Sequence, residues 1–324
     1  MRIAWGVSFL SGGAYSTCMN ASEATAPRGS FDARYLAFLE TVAQLRPRLH
    51  RYCSRMTGSV LDGEDVVQDA LFEAYRKLET FDDSRPLTPW LFRIAHNRCI
   101  DFLRRRKVRS EAEAESVAGA PEWVEPHEFY GADVAQALEH VVGILPPRER
   151  ACILLKDVFD YSLEEVSDYL GSTIGAVKAA LNRGRTKLAS SPRQVPTARA
   201  ETPDQQAILL EYVTRFNRRD WDGVRALIGT DAGVLVADRF SGSIGESPYF
   251  GNYERWQANW RLAPGRVDDR SVVAVLVQEA SAWRIHSVIQ LSVVGDRIAK
   301  IVDYGHCGWV LDHAGEVTFE APDS

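Results

Sequence analysis

The hydrophobic period of this 324-residue chain changes once along its length, and that change dictates the architecture. Up to about residue 190, apolar residues recur at helical spacing. Beyond about residue 230 they form strand-like runs: "GVLVADR", "SVVAVLVQ", "WRIHSVIQLSVV" and "RIAKIVDYG". A segment patterned for a helix does not settle as a strand, so the two halves must fold differently. The stretch "SSPRQVPTARAETP" (190–203) lies at the break, and its Pro, Ser and Thr content reads as a linker. The second half opens with an amphipathic helix carrying Ile208, Leu209, Tyr212, Val213 and Phe216 on one face, then a short helix over Trp221–Leu227. Gly295-Asp296 between two apolar runs is a hairpin signal. Helices followed by an antiparallel sheet predict an α+β domain over 204–320.

Charge divides the helical half. The net charge of −6 argues against a general nucleic-acid binder, yet the charges are segregated. Residues 93–109 hold Arg93, Arg98, Arg104, Arg105, Arg106, Lys107 and Arg109 against Asp101 alone. Ser110–Pro147 contains neither Lys nor Arg and gathers Glu and Asp. Residues 178–193 are purely basic again. This predicts a helical domain over 31–109, an acidic flexible linker over 110–131, a second helical domain over 132–190 and a linker over 191–203. Residues 1–30 resemble a weak signal peptide with only Arg2 as basic flank. They are read as a disordered or spurious extension, with Met19 a candidate start. Cys18, Cys53, Cys99, Cys152 and Cys307 form no C-x-x-C pair. No disulfide framework, metal site or cofactor is expected, and a reducing cytoplasm fits. No apolar run is long enough to span a bilayer, so no membrane partner is expected.

Three segments carry chemistry. In "YSLEEVSDYLGSTIGAVKAALNRGRTKL", Ser162 and Glu165 form a capping box, Gly171 supplies a turn and Thr173 can cap the next helix. That helix turns Ile174, Val177, Leu181 and Leu188 to one side. Gly175, Ala179, Asn182, Arg183 and Thr186 lie on the other, flanked by Lys178 and Arg185. The spacing suits a helix-turn-helix, and equally an ordinary helical hairpin. In "DGEDVVQDALFEAYRKL", Val66, Val67, Ala70, Leu71, Ala74 and Leu78 make a buried face. Phe72 stands among Asp65, Asp69 and Arg76 on the polar side, either a harmless exposed aromatic or a docking anchor. In "PWLFRIAHNRCIDFLRRRKVR", Arg93, Asn97, Ile100 and Arg104 form an outward stripe. A basic run with so few interleaved acids favours a phosphate partner over solvent.

In this order the segments resemble the bacterial ECF-type (group IV) RNA polymerase sigma factors. Residues 31–109 resemble their second conserved region, and 138–188, from "LPPRERACILL" onward, the fourth. The resemblance implies two all-α sigma domains, the latter a helix-turn-helix. Its expected partners are core RNA polymerase, through the β′ clamp helices and the β flap, and promoter DNA. Asp65, Gln68, Asp69 and Phe72 would dock on the clamp helices. Arg93, Asn97, Asp101, Arg104 and Arg105 would handle the −10 element. The loop with Asp82, Ser84 and Arg85 would hold a flipped base, supported by Trp90. Thr173, Lys178, Asn182, Arg183, Arg185 and Lys187 would serve the −35 element. Ala179 and Ala180 stand where many family members carry Ser and Arg, which leaves fewer side chains for readout.

Residues 204–320 resemble the SnoaL-like cone, carried by "YVTRFNRRDWDGVRALI", "YFGNYERW", "WRIHSVIQLSVVGDRIAKIVDYGH" and "GWVLDHAG". The resemblance implies a curved antiparallel sheet with helices around a pocket. Asp238, Trp260, His286, Asp303, Tyr304 and His306 are its candidate pocket residues, for an unknown small ligand or an intramolecular contact. The expected role is regulation of the sigma domains, without enzyme activity. Two rival readings stay open: a one-component helix-turn-helix regulator sensing a small molecule through the cone, and a SnoaL-like enzyme fused to a DNA-binding module.

Overall fold

The computed structural model describes residues 29–116, 144–190 and 203–320, apart from Asp83, Asp238, Arg239, Asp269 and Ser281. The first helical unit packs α1 (Gly29–Thr57), α2 (Val60–Lys77) and α3 (Leu87–Ser116) around Phe38, Leu49, Tyr52, Val67, Ala74 and Ala95. Ser59 starts α2 by accepting the Asp62 backbone N–H at 3.3 Å. Gly63 lets α2 meet α1: a Cβ there would lie 2.6 Å from the Ser54 backbone. Helix α3 runs past residue 110, where the acidic linker was expected to begin. Its last residues, "SEAEAES", are dominated by Glu and Ala, strong helix formers that continue the turn. The rest of that linker, the expected N-terminal extension through residue 28, and residues 191–202 lie outside the described residues.

The second unit holds α4 (Pro147–Ile153), a π-turn over Leu154–Val158, α5 (Leu163–Leu170) and α6 (Ile174–Ser190). The capping box forms as expected: Ser162 Oγ accepts from Glu165 N at 3.1 Å, and Glu165 accepts from Ser162 N at 2.8 Å. Gly171 adopts the left-handed conformation (φ 58°) that ends α5 and redirects the chain. Thr173 Oγ1 caps α6 on Ala176 N at 3.2 Å. Both helical units share one apolar core, in which Phe92 of α3 packs on Tyr169 of α5.

The third unit contains α7 (Pro203–Asn217), α8 (Trp221–Ala226), α9 (Tyr249–Arg255) and α10 (Gly308–Asp312). Its strands are β1 (Ile228–Val236), β2 (Phe240–Ser243), β3 (Trp260–Val267), β4 (Arg270–Glu279), β5 (Ala282–Val294), β6 (Arg297–Asp303) and β7 (Val317–Phe319). They form one sheet in the order β2-β1-β6-β5-β4-β3-β7. The sheet is mixed, not wholly antiparallel as expected, because β1 pairs parallel with β6, Val234 opposite Ile301. Alternation along a strand encodes its faces but not its partner's direction, so this pairing leaves no mark in the sequence. The β5–β6 hairpin turns at Gly295 (φ 61°), as read.

Helices α7 to α9 cover one face of the sheet, where Tyr212, Phe216, Tyr253 and Trp260 meet Val273, Val275, Ile289 and Ile301. On the other face, Val272, Val288, Val302 and Tyr304 meet Val310 of α10 and also Val60 and Leu61 of α2. The start of α2 therefore completes a core that otherwise belongs to the third unit. Among the described residues, no helix is long and apolar enough to cross a membrane.

Candidate functional site

Helix α2 presents its polar side as expected, but unevenly. Phe72 is 53% exposed and Asp69 is open to solvent. Gln68 is half-buried and donates to Glu64 Oε1 at 3.3 Å. Asp65 is half-buried as a residue, while its Oδ1 has neither solvent nor a hydrogen-bond donor. That desolvation pushes its pKa up to about 6, against the pull of Lys300 on β6.

Two acids that sequence reasoning passed over are bound more firmly. Glu64 is fully buried between Arg46 of α1, the Trp309 indole N–H at 2.8 Å and the Cys307 thiol. Asp62 accepts both terminal nitrogens of Arg270, at 2.8 and 2.5 Å. In the sequence both look like ordinary carboxylates near the start of a helix. Nothing local announces partners more than 200 positions away.

The loop before α3 is folded on itself. Asp82 Oδ1 accepts from Ser84 N at 3.1 Å and Ser84 Oγ at 2.7 Å, and Arg85 lies 3.4 Å from Oδ2. The Ser84 hydrogen bonds hold the Asp82 carboxyl below the usual range. Phe81 packs on Trp90 at 4.6 Å between ring centres. Beside the loop is a cleft of about 290 Å3 lined by Arg34, Thr41, Phe81, Arg85 and Thr88.

Along α3, Asn97, Arg104 and Arg105 are exposed, Asp101 is half-buried and accepts from Arg104 at 3.2 Å, and Arg93 lies half-buried along the Gly171 turn. His96, which sequence reasoning did not single out, bonds Tyr52 Oη at 2.8 Å. Burial pushes its pKa down to about 4.

On α6, Lys178 and Asn182 are exposed, while other cations are held by neighbours. Arg183 and Lys187 both donate to Glu149, at 2.9 and 2.8 Å, and these bonds hold the Glu149 carboxyl below its usual range, Lys187 most strongly. Arg185 makes a two-bond pair with Asp157 at 3.0 and 2.6 Å. Ala179 is exposed, but Ala180 is fully buried in the shared core. The expectation that both alanines thin out the readout surface is corrected: Ala180 belongs to the packing face with Val177 and Leu181.

Of the expected pocket residues of the cone, Asp303, Trp260 and His286 gather about Tyr253 and Trp256, whereas Tyr304 does not join them. Asp303 is buried, with Oδ2 accepting from Tyr253 Oη at 2.6 Å and Oδ1 from Gly305 N at 2.8 Å; desolvation still raises its pKa. Tyr304 projects to the other face of the sheet, where its hydroxyl donates to Gln290 at 3.3 Å. Trp260 is a core residue with the Arg219 guanidinium 3.5 Å from its ring centre. His286 lies against Trp256, its pKa lowered by burial. His306 is exposed, and Asp238 lies outside the described residues.

An acidic, aromatic-bearing helix beside a basic helix and a helix-turn-helix is the layout of a promoter-reading subunit of RNA polymerase. Residues 41–109 match the family model for sigma-70 region 2, and residues 135–188 the model for sigma-70 region 4. The chain belongs to the ECF RNA polymerase sigma factors. It is 30% identical over 325 residues to the ECF RNA polymerase sigma factor SigG of Mycobacterium tuberculosis, spanning 86% of this chain and 82% of SigG. It is 31% identical over 170 residues to SigW of Bacillus subtilis, spanning 49% of this chain and 90% of SigW. The crystal structure of the M. tuberculosis sigma factor SigJ aligns over 84% of this chain and 98% of SigJ, with 16% identity and a TM-score of 0.32.

Proposed function

We propose that this sigma factor docks on the β′ clamp helices through Asp65, Gln68, Asp69 and Phe72 of α2. Arg93, Asn97, Asp101, Arg104 and Arg105 of α3 serve the −10 element, and the cleft beside Asp82, Ser84 and Arg85 receives an unstacked base. Its lining by two arginines, two threonines and Phe81 beside Trp90 supports that use, since a flipped base needs a stacking wall and polar edges. Lys178 and Asn182 of α6 lead at the −35 element, with Thr173, Arg183, Arg185 and Lys187 positioned along the same helix. The C-terminal cone regulates the sigma units and does not catalyse, and the chain works in the cytoplasm.

The observation that carries this reading is Phe72. A large aromatic ring more than half exposed beside Asp69, on a helix whose other side is core, is a hot-spot arrangement awaiting a partner. The test is purified full-length chain with purified core polymerase on duplexes selected by the holoenzyme from a randomised DNA library. Promoter-dependent transcripts that disappear with Phe72→Ala support the reading. Transcription unchanged by that substitution removes the docking assignment.

A further inference from the structure

The second half of α1 gathers cations that nothing nearby neutralises. Arg51 lays its guanidinium over the Phe159 ring, just past the π-turn, 4.6 Å from the ring centre. One helical turn on, Arg55 is half-buried, and its Nε reaches neither solvent nor an acceptor. His313, the residue after α10, stacks on His50 of the same helix with the Nδ1 atoms 2.8 Å apart. Burial, then His50, Arg51 and Arg55, push the His313 pKa down to about 4, against the pull of Asp312. Burial and then Arg51 also lower that of Arg55. Among the described residues, no carboxylate comes within ion-pairing distance of Arg51 or Arg55. Asp268, on the β3–β4 turn, attracts Arg55 from further off, but its Oδ1 accepts from Gly315 N at 2.8 Å and Glu316 N at 3.2 Å. Asp160, beside Phe159, pairs with Lys156, and Asp157 with Arg185.

We propose that Arg51, Arg55 and His313 form a binding site for a small phosphate-bearing ligand. The other arginines at this end of α1 have a different use. Arg106 donates to the Thr57 carbonyl at 3.1 Å and Arg150 to the Met56 carbonyl, closing the last carbonyls of the helix as cations there commonly do. Arg51 and Arg55 close none. Gathering two guanidinium groups and an imidazole at a half-buried seam costs free energy through mutual repulsion and lost hydration. A bound anion offsets both. A phosphoryl group suits the place best: its oxygens accept from planar guanidinium forks in pairs, and its charge is large enough to hold both arginines and the imidazolium form of His313. Phe159 adds an apolar wall under Arg51. A DNA duplex fits less well, because a rigid rod meets cations that protrude, and Arg55 is recessed.

The full-length chain is titrated calorimetrically with pyrophosphate, and separately with adenosine triphosphate, at about 0.15 M salt. Saturable one-site binding is expected. Arg55→Gln and Arg51→Gln should each weaken it roughly tenfold, the scale of one hydrogen bond to a charged group. Arg51 is exposed, so its substitution carries the test if Arg55→Gln fails to fold. Arg284→Gln, which removes a β5 cation paired with Glu279, should leave the affinity unchanged. Bound pyrophosphate should also move the NMR titration of His313 to higher pH, since an adjacent anion favours the imidazolium. Equal affinity for the two probes marks free polyphosphate as the source, and tighter binding of adenosine triphosphate marks a nucleotide. The site is overturned if neither probe binds saturably, if all three arginine variants lower the affinity alike, or if pyrophosphate leaves the His313 titration in place. Duplex DNA that loses affinity for Arg51→Gln and Arg55→Gln, with neither probe competing, also overturns it and assigns these cations to nucleic acid.

Discussion

Phe92 and Tyr169 stack with ring centres 4.5 Å apart and only 6° between their planes. Tyr161 closes edge-on against both, at 6.0 and 5.0 Å. This aromatic triad joins α3 to α5, the first helix of the helix-turn-helix, so the two sigma units share a core. Phe92→Ala should destabilise the chain by about 3 kcal/mol, the scale for deleting a buried ring. Urea unfolding gives the value, and small-angle scattering should show an expanded particle. An unchanged radius of gyration would count against the triad as the joint.

Phe72→Ala separates docking from stability. The ring is more than half exposed, so unfolding free energy should move by less than about 0.5 kcal/mol. Affinity for core polymerase should fall by about 2 kcal/mol, near thirtyfold. Equal losses in both measurements would mean that the ring stabilises the fold instead.

Gly63 is fixed by space. A Cβ at this position would meet the Ser54 backbone at 2.6 Å, a clash that no rotamer relieves. Gly63→Ala should cost about 1–3 kcal/mol by prising α2 from α1. Thermal unfolding checks it; a melting temperature equal to the wild type refutes the close approach.

Lys178 and Arg183 should behave differently although both are basic and lie on α6. Arg183 is shared with Glu149, whereas Lys178 stands exposed. Lys178→Ala should reduce the salt dependence of DNA binding by about one in the log–log slope. Arg183→Ala should lower −35-dependent initiation and also release Glu149. Filter binding across a salt series, with run-off transcription beside it, distinguishes them.

Acidity acts on the folded chain in two opposed ways. His96 titrates near 6.5 when unfolded and is pushed down to about 4 when folded. Its contribution is whole above about 6.5 and is lost as pH falls toward 4. Asp65 is pushed up to about 6. Its ionisation burdens the fold above about 6, and that burden lifts as pH falls toward 3.8. The two oppose each other between pH 6 and 4, but burial also holds His50 and His313 low, so the wild type should lose stability on acidification there. Asp65→Asn should be more stable than the wild type at pH 7.5 by roughly 1–2 kcal/mol, after allowance for residual solvent screening. It should then lose stability more steeply on acidification. A variant no more stable at pH 7.5 contradicts a sealed carboxylate at this position.

The readable parts of this chain were those written in local chemistry. Ser162, Glu165 and Gly171 specify a cap and a turn within a few residues, and both appear. The faces of α2 follow from helical spacing, so Phe72 could be assigned to the polar side without coordinates. Ala180 could not be separated from Ala179 because a residue at the edge of an apolar stripe goes to whichever neighbour packs there, here the shared core that also holds Val177 and Leu181. One member of the pocket list, Tyr304, stands apart for another reason. Asp303 and Tyr304 are successive residues at the end of a strand and point to opposite faces. The contacts of Asp62 with Arg270 and of Glu64 with Trp309 depend on how separate units meet, which no local pattern encodes.

Val60 and Leu61 give the chain a temporal asymmetry. They finish a core whose other members are made much later on the ribosome. At ordinary translation speeds, on the order of ten seconds pass between emergence of the helical units and completion of the cone. During that interval every newly made chain carries an uncovered α2. A nascent chain thus shows any passing partner the two α2 side chains that the finished chain hides.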